Sequence, residues 1–211
     1  MVDRLFVLRH AETRCAVERV LNGDPDRPCP LTARGREQAG ELRRRLAGVP
    51  LDLCVTTEFE RTQATADIIL EGRQVPRMVD ALLNDPPLGA LEGRSLDEHS
   101  KWMADRGWTE APPGGGESQL DALRRYVTGW SRLLARPENR VLAVAHAFTI
   151  SFVRTLESGK EPAVRRRYEH EVRLAELAEI DVGALRDGLR RAAIELTGLG
   201  YAPLKTGPQS G

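Results

Sequence analysis

Short apolar runs alternate with longer stretches of helical periodicity along this chain, and the alternation predicts its secondary structure. The runs Arg4–Leu8, Asp52–Thr56 and Arg140–Ala145 have the length and apolar content of buried β-strands. Between the first two, Thr32–Ala47 places its apolar side chains on one helical face, and Thr32 is the predicted N-cap. Strands that alternate with helices in this way indicate an α/β domain with a largely parallel sheet.

The second half of the chain predicts three further elements. Ser118 is expected to cap a helix whose apolar stripe continues to Leu134. Arg173–Ile180 predicts a last strand, and Gly183–Leu196 predicts a last helix. Together with the strands and the helix described above, these elements are sufficient for one layered α/β domain.

A single domain is therefore predicted over residues 1–197. Residues 93–118 are interpreted as an inserted lid, because Trp102 and Trp108 stand there among many polar residues. A surface excursion that covers no site is the alternative. Residues 198–211 are rich in Gly and Pro and are expected to form a flexible tail.

The overall charge excludes several classes of partner. The 31 Lys and Arg residues balance 31 Asp and Glu residues in a chain of 211, so the molecule as a whole has no field that gathers nucleic acid or anionic lipid. The longest uncharged stretch, Val141–Val153, is too short to span a bilayer, and the first residues lack the apolar core of a signal peptide. We expect neither nucleic acid nor a membrane as a partner.

Cysteine usage predicts a reduced protein. Cys15, Cys29 and Cys54 are odd in number and have no CxxC spacing, which argues against both a disulfide framework and a zinc site. We interpret them as small buried side chains. A cytoplasmic location follows from this interpretation.

The candidate chemistry begins where the first strand should end. Arg9 and His10 follow the apolar run directly. In open α/β sheets, ligands bind at the carboxyl ends of the strands, and an Arg-His pair there offers a fixed cation beside a titratable nitrogen. The pair points to phosphate chemistry.

Later segments match one family in order along the chain. The matches are RHAET at 9–13, PLTxxGxxQA at 30–39, an SxLxRAxQTA-like element at 57–66, GxxEG at 89–93, a PPGGES-like run at 112–118, and AHA in place of SHG at 145–147. The ordered set resembles the histidine phosphatase superfamily, in the branch that includes the cofactor-dependent phosphoglycerate mutases. The resemblance implies a phosphoglycerate mutase-like, three-layer αβα sandwich with a mixed, mostly parallel sheet.

The resemblance also implies roles for four side chains around a phosphate. His10 would attack phosphorus as a neutral imidazole and become phosphohistidine. Arg9 and Arg61 would hold the phosphate oxygens through charge-assisted hydrogen bonds, and His146 would add a further donor. Taken singly, each of these side chains also fits an ordinary structural role.

The proton for the leaving oxygen comes, in this superfamily, from an acid four residues before the glycine of GxxEG. That position is Asp85, where most relatives have Glu. Glu92 is the rival acid, although its place in the motif suggests a structural partner. Glu12 is expected to stay ionised and to orient the arginines.

Other positions concern substrate contacts. Asn22 and Gly23 are candidates to contact the phosphate, and a plain loop turn is the alternative for both. Ala11 and Ala147 replace the family's usual glycines, and Cys15-Ala16 stands where mutases commonly have Trp-Asn. We therefore expect the substrate contacts to differ from those of the mutases.

Together these features predict a phosphatase that hydrolyses a small phosphomonoester through phosphohistidine. No cofactor and no metal are expected, because the arginines supply the positive charge. A cofactor-dependent mutase-type phosphotransferase and a non-catalytic or repurposed phospholigand binder are the alternatives. The sequence does not fix the oligomeric state, and a homodimer stays open.

Overall fold

Five strands form one mixed sheet in the computed structural model, which describes residues 1–107, 109–159, 171–201 and 204. The strands are β1 (Arg4–Arg9), β2 (Leu53–Thr56), β3 (Arg77–Val79), β4 (Arg140–Ala145) and β5 (Leu177–Ile180). Their order across the sheet is β3-β2-β4-β1-β5. All neighbouring pairs are parallel except β1 with β5.

Helices connect the strands and cover the sheet. They are α1 (Arg14–Glu18), α2 (Ala33–Leu46), α3 (Glu60–Ile69), α4 (Leu96–Arg106), α5 (Gln119–Leu134), α6 (Ala147–Glu157) and α7 (Val182–Gly198). Two 3₁₀ turns lie at Ala81–Leu83 and Gly89–Leu91. None of the helices in the described part of the chain is long and apolar enough to cross a membrane.

The central strands are buried on both faces, which produces three layers. Leu5 and Val7 of β1 pack in one apolar cluster with α5, α6 and α7. Phe6 and Leu8 point to the opposite face and pack with α2 and α3. The predicted αβα sandwich with a mixed, mostly parallel sheet is confirmed.

Local signals placed the helix starts well. The Thr32 side chain accepts a hydrogen bond from the backbone of Gly35 at 2.9 Å, as expected of the cap of α2. Ser118 accepts from the backbone of Asp121 at 3.1 Å and caps α5. These caps satisfy backbone N–H groups that the first helical turn leaves unpaired.

The strands at the two sheet edges departed from the prediction. The last strand begins at Leu177 and not at Arg173, because residues 173–176 form a turn in which the backbone of Glu176 donates to the Arg173 carbonyl at 3.1 Å. Strand β3 was not predicted. Its residues Arg77–Val79 are largely exposed and carry little apolar signal.

The segments outside the core follow the predicted boundaries only in part. The described residues place α4 inside the proposed lid at 93–118, while Trp108 lies outside them. Helix α7 extends to Gly198. Most of the predicted tail, residues 202–203 and 205–211, also lies outside the described residues. The lid and the tail stay predictions.

The prediction that the cysteines are unpaired is wrong for two of them. Cys15 and Cys29 form a disulfide, with their Cα atoms 5.9 Å apart. An antiparallel bridge between Thr13 and Leu31 folds the chain back and brings the two cysteines together, which their spacing in the sequence does not reveal. Cys54 is a buried free thiol, as expected. The cysteine argument for a reduced setting therefore loses its basis.

Candidate active site

The site lies between the carboxyl ends of β1 and β4. The chain leaves β1 towards α2 on one face of the sheet and leaves β4 into α6 on the other, so the two strands flank a topological switch point. Their parallel register pairs Arg9 with Ala145. The next residues, His10 and His146, are therefore neighbours, and their ring centroids are 5.6 Å apart.

His10 is held as a neutral imidazole with one nitrogen open. Its Nδ1 lies 2.8 Å from the Ala11 carbonyl oxygen, which can only accept, so Nδ1 carries the proton and Nε2 keeps its lone pair. Burial and then the charge of Arg61 hold the pKa of His10 well below its ordinary value. An unprotonated Nε2 at the edge of a cavity is the form a nucleophile requires.

Arg9 lines the same cavity and has an unused donor. Its Nη1 donates to the Val172 carbonyl at 2.6 Å. Its Nε is buried and has no hydrogen-bond partner among the described residues. Because an unpaired buried donor costs free energy, an anion in the cavity would stabilise this arrangement.

Arg61 is the most constrained side chain of the site. It is 4% exposed, and its guanidinium lies over the Phe59 ring at 4.1 Å. Its Nη1 donates to the Asn22 side-chain oxygen at 2.8 Å, and its Nη2 donates to Asp85 at 2.9 Å. The fork is therefore fixed in orientation beside His10 before any ligand arrives.

Asn22 and Gly23 line the cavity, but their hydrogen bonds go to protein groups. The Asn22 side chain accepts from Arg61 and donates to the Arg27 carbonyl at 3.0 Å. The Gly23 N–H donates to the Glu92 carboxylate at 3.0 Å. Asn22 thus positions Arg61, and a direct contact of either residue with phosphate stays a prediction.

His146 is fully buried and both of its ring nitrogens contact protein. Its Nε2 lies 2.9 Å from the Thr57 hydroxyl. The Thr62 hydroxyl donates its own proton to a backbone carbonyl, so Thr57 is the donor in the hydrogen bond between the two hydroxyls. The Thr57 oxygen therefore accepts from Nε2. Burial and the charge of Arg61 keep the pKa of His146 well below its ordinary value. The lone pair on Nδ1 then faces Arg61 and Asp85, and the expected donation from His146 to phosphate stays a prediction.

Asp85 contacts Arg61 and His146 and lines the cavity. Its Oδ2 lies 2.9 Å from Arg61 Nη2 and 3.2 Å from His146 Nδ1. Burial raises the pKa of Asp85, and this effect exceeds the opposing influence of Arg61. A carboxyl group with a raised pKa at the edge of a cavity is suited to donate a proton.

The two other candidate carboxylates are held in structural contacts. Glu92 accepts the backbone N–H groups of Gly23 at 3.0 Å and Leu88 at 2.9 Å. Glu12 accepts from the Thr32 hydroxyl at 2.7 Å, so its side chain contacts the cap of α2, and its expected role in orienting the arginines stays a prediction.

Sequence reasoning missed the residues that hold the Asp85 segment. Arg125 and Tyr126 are consecutive on α5, and both donate to the carbonyl of Asn84, at 3.0 and 2.9 Å. Glu117 in turn pairs with Arg125. The apolar stripe of α5 predicted a core helix, but no local signal indicated that polar side chains on this helix bind the backbone next to Asp85.

The cavity that joins these groups has a volume of about 340 Å³. It extends from Arg9, His10, Arg61 and Asp85 to the face of α4. No group of three His, Cys, Asp or Glu side chains in the described ranges could hold a metal ion. Two guanidinium groups, those of Arg9 and Arg61, line this cavity.

The motifs and the fold agree with comparisons with known proteins. The model of the histidine phosphatase superfamily (branch 1) matches residues 5–194. The adenosylcobalamin/alpha-ribazole phosphatase of Escherichia coli strain K12 is 33% identical over 160 residues, which cover 71% of this chain and 76% of the relative. A protein of Cronobacter sakazakii named probable phosphoglycerate mutase is 30% identical over 156 residues, which cover 70% and 71%.

Solved structures show the same architecture. The alpha-ribazole phosphatase from Shigella flexneri superposes with a TM-score of 0.71 at 30% identity and covers 84% of this chain and 90% of its own. The mycobacterial glucosyl-3-phosphoglycerate phosphatase, in a complex with VO3, superposes with a TM-score of 0.69 at 25% identity and covers 84% and 92%. On its motifs, its fold and these matches, the chain belongs to the histidine phosphatase superfamily.

Proposed function

We propose that this protein hydrolyses a small phosphomonoester through a phosphohistidine on His10. The observation that carries the proposal is the combination of an open His10 Nε2, an unpaired Arg9 Nε and a fixed Arg61 fork around one cavity. Phosphomonoester hydrolysis is among the slowest uncatalysed reactions, so a catalyst needs a nucleophile, charge neutralisation and an acid. The proposal assigns a residue to each need.

In the first step, the His10 Nε2 lone pair forms a bond to phosphorus and the ester P–O bond breaks. Arg9 and Arg61 neutralise the charge on the phosphoryl oxygens. The departing alcohol oxygen takes its proton from Asp85, which becomes a carboxylate. The alcohol leaves with both electrons of the broken bond.

In the second step, water attacks the phosphohistidine. The Asp85 carboxylate takes a proton from this water, a P–O bond forms and the P–N bond breaks. Inorganic phosphate leaves, and His10 and Asp85 return to their starting protonation states. A phosphoglycerate mutase-type reaction would share the first step and replace water by a second alcohol.

The decisive experiment measures both the release of phosphate and the phosphorylation of the protein. The wild-type chain is mixed with ethyl phosphate, 4-nitrophenyl phosphate and 3-phosphoglycerate, and free phosphate and isomerised phosphoglycerate are measured. Rapid quenching under alkaline conditions, followed by mass analysis, reports a phosphoryl group on His10. We expect phosphate release and a phosphoryl group on His10. Isomerisation without phosphate release would instead identify a mutase.

Two variants separate catalysis from binding. His10→Ala is expected to lower turnover by about a thousandfold or more and to abolish phosphorylation of the protein. Lys101→Ala, an exposed change on α4, is the control and should retain wild-type turnover. If the wild-type chain binds phosphate but hydrolyses none of the three esters, it is a binder and the proposal is wrong.

The remaining parts of the proposal concern conditions and setting. We propose that turnover needs no metal, so that chelator leaves the rate unchanged. A cytoplasmic location and a homodimer stay predictions. The Cys15–Cys29 disulfide removes the main support for the cytoplasmic location. Thiol titration of protein isolated under alkylating conditions would test whether these two cysteines are paired in the cell.

A further inference from the structure

Helix α4 has an apolar face that packs on no core. None of its residues is buried, and none belongs to the apolar clusters that cover the sheet. Leu96, His99, Trp102 and Met103 recur at helical spacing, and all four line the cavity of the candidate active site. An amphipathic helix normally packs such a face on the core, whereas here the face lines the cavity.

The position of α4 is nevertheless fixed at its first turn. Ser95 and Glu98 form a capping box, in which each side chain accepts from the backbone of the other at 3.2 and 3.0 Å. The backbone of Leu21 donates to the Arg94 carbonyl at 2.8 Å. The helix is thereby joined to the loop that carries Asn22, and its apolar face lines the same cavity as the phosphate end of the site.

Other residues that line the cavity are also apolar. Ala16, Val20, Leu21 and Phe148 line it. The volume of about 340 Å³ lies in the range of small-molecule sites, which bury most of their ligand between such walls. The space beyond the phosphate end therefore suits an apolar group of substantial size.

The charges of the cavity agree with an uncharged group. Apart from Arg9 and Arg61, the lining residues that the structure describes include no lysine or arginine. Glu110 and Glu117 also line it, and each pairs with an arginine outside it. No described cation is placed to bind a carboxylate or a second phosphate.

We propose that the α4 face and the other apolar residues that line the cavity bind the leaving group of the substrate, a neutral alcohol that carries an aromatic or similarly flat apolar group. The inference rests on the proposed phosphatase function, because the leaving group must occupy the space next to the phosphate. Stacking on Trp102 and His99 would hold the flat group, and burial of apolar surface would supply binding free energy.

The experiment compares two esters that differ in the ring and hardly in leaving-group basicity. Ethyl phosphate and 2-phenylethyl phosphate both release a primary alcohol, so a difference in kcat/KM reports binding of the ring and not easier bond cleavage. We expect kcat/KM for the phenylethyl ester to exceed that for the ethyl ester by about tenfold or more. 3-Phosphoglycerate should fall below the phenylethyl ester.

Trp102→Ala should reduce this preference to within about threefold of unity. Met103→Ala gives a second reading of the same wall, and Lys101→Ala on the exposed side of α4 is the matched control. Thermal unfolding of each variant shows that it is folded.

Three outcomes overturn the inference: equal kcat/KM for the two alkyl esters, a preference for 3-phosphoglycerate, or a preference that survives both wall variants. In each of these cases phosphate is still released from ethyl phosphate, so the proposed function stands. Absence of release from every ester would instead refute the proposed function. The two failures are therefore distinguishable.

Discussion

Replacement of Asp85 by Asn tests the proposed proton donor directly. Asn has nearly the size of Asp and keeps a side-chain oxygen that can accept from Arg61, whose Nη2 lies 2.9 Å from the Asp85 carboxylate. It cannot deliver an acidic proton to a leaving oxygen. General acid catalysis contributes about 10²- to 10⁴-fold, which corresponds to roughly 3–5 kcal/mol of transition-state stabilisation.

The size of the loss should depend on the leaving group. Ethyl phosphate releases a strongly basic alkoxide unless it is protonated, so Asp85→Asn should lower its turnover by about 10²- to 10⁴-fold. 4-Nitrophenolate leaves without a proton, and its ester should lose less than about tenfold. The ratio of the two losses therefore measures proton donation, independently of any general damage to the site.

The stability cost should be modest beside this effect. The substitution removes the carboxylate that pairs with the buried Arg61, but it retains a hydrogen-bond acceptor there. We expect a loss of about 1–3 kcal/mol, in the range of one impaired buried hydrogen bond to a charged group. Urea unfolding at 25 °C would measure it and show that the variant is folded during the assay.

The pH profile provides an independent reading. Burial raises the pKa of Asp85, and the acid is active only while it is protonated. Turnover of ethyl phosphate should therefore fall as pH rises through this raised pKa, and Asp85→Asn should remove that alkaline limb. The pKa of His10 is lowered, so loss of the nucleophile by protonation is confined to acidic pH below its ordinary value.

Glu92→Gln is the matched control, because Glu92 is the rival acid. Its carboxylate accepts two backbone N–H groups, and the amide can still accept from one of them. We expect it to affect both esters alike. Equal losses for the two esters in Asp85→Asn, or a leaving-group dependence in Glu92→Gln, would refute the assignment of Asp85.

Three further predictions concern the frame around the site. Tyr126→Phe removes a hydrogen bond to the carbonyl of the residue before Asp85. It should lower turnover of the ethyl ester several-fold and reduce the free energy of unfolding in urea by about 1 kcal/mol. Unchanged kinetics would show that this hydrogen bond does not position the acid. Gly23→Ala would place a Cβ 2.3 Å from the Pro86 carbonyl oxygen, so the loop must shift; we expect a melting temperature several degrees lower and weaker phosphate binding by calorimetry. Reduction of Cys15–Cys29, which are separated by 14 positions, should cost about 3 kcal/mol by loop-closure entropy, and a urea midpoint unchanged by reductant would contradict it.

The fold and the main site residues could be predicted because their signals are local. An apolar strand followed by a polar residue marks a strand end, and parallel pairing brings such ends to one edge of the sheet. Arg9, His10 and His146 follow this rule, since Arg9 ends β1, His10 follows β1 and His146 follows β4. Arg61 came from the family motif and lies in the first turn of α3.

What the sequence did not predict depends on contacts between distant segments. The Cys15–Cys29 disulfide requires the chain to fold back between α1 and α2. The role of Asn22 depends on the orientation of Arg61, which the Phe59 ring and Asp85 also determine. Motif spacing identifies which side chains gather, but it does not show which of their polar atoms are already engaged.

The arrangement of charge explains how one ligand could prepare both the nucleophile and the acid. Two guanidinium groups and two neutral imidazoles share a desolvated site in which Asp85 is the anionic partner of Arg61. A phosphate dianion would add negative charge next to Asp85, which raises the pKa of a neighbouring carboxyl further and favours its acidic form. The same dianion would engage the unpaired Arg9 Nε and draw the charge of Arg61 away from Asp85. Phosphate binding and protonation of Asp85 would therefore be coupled, and a neutral His10 would attack phosphorus while Asp85 carries the proton that it donates.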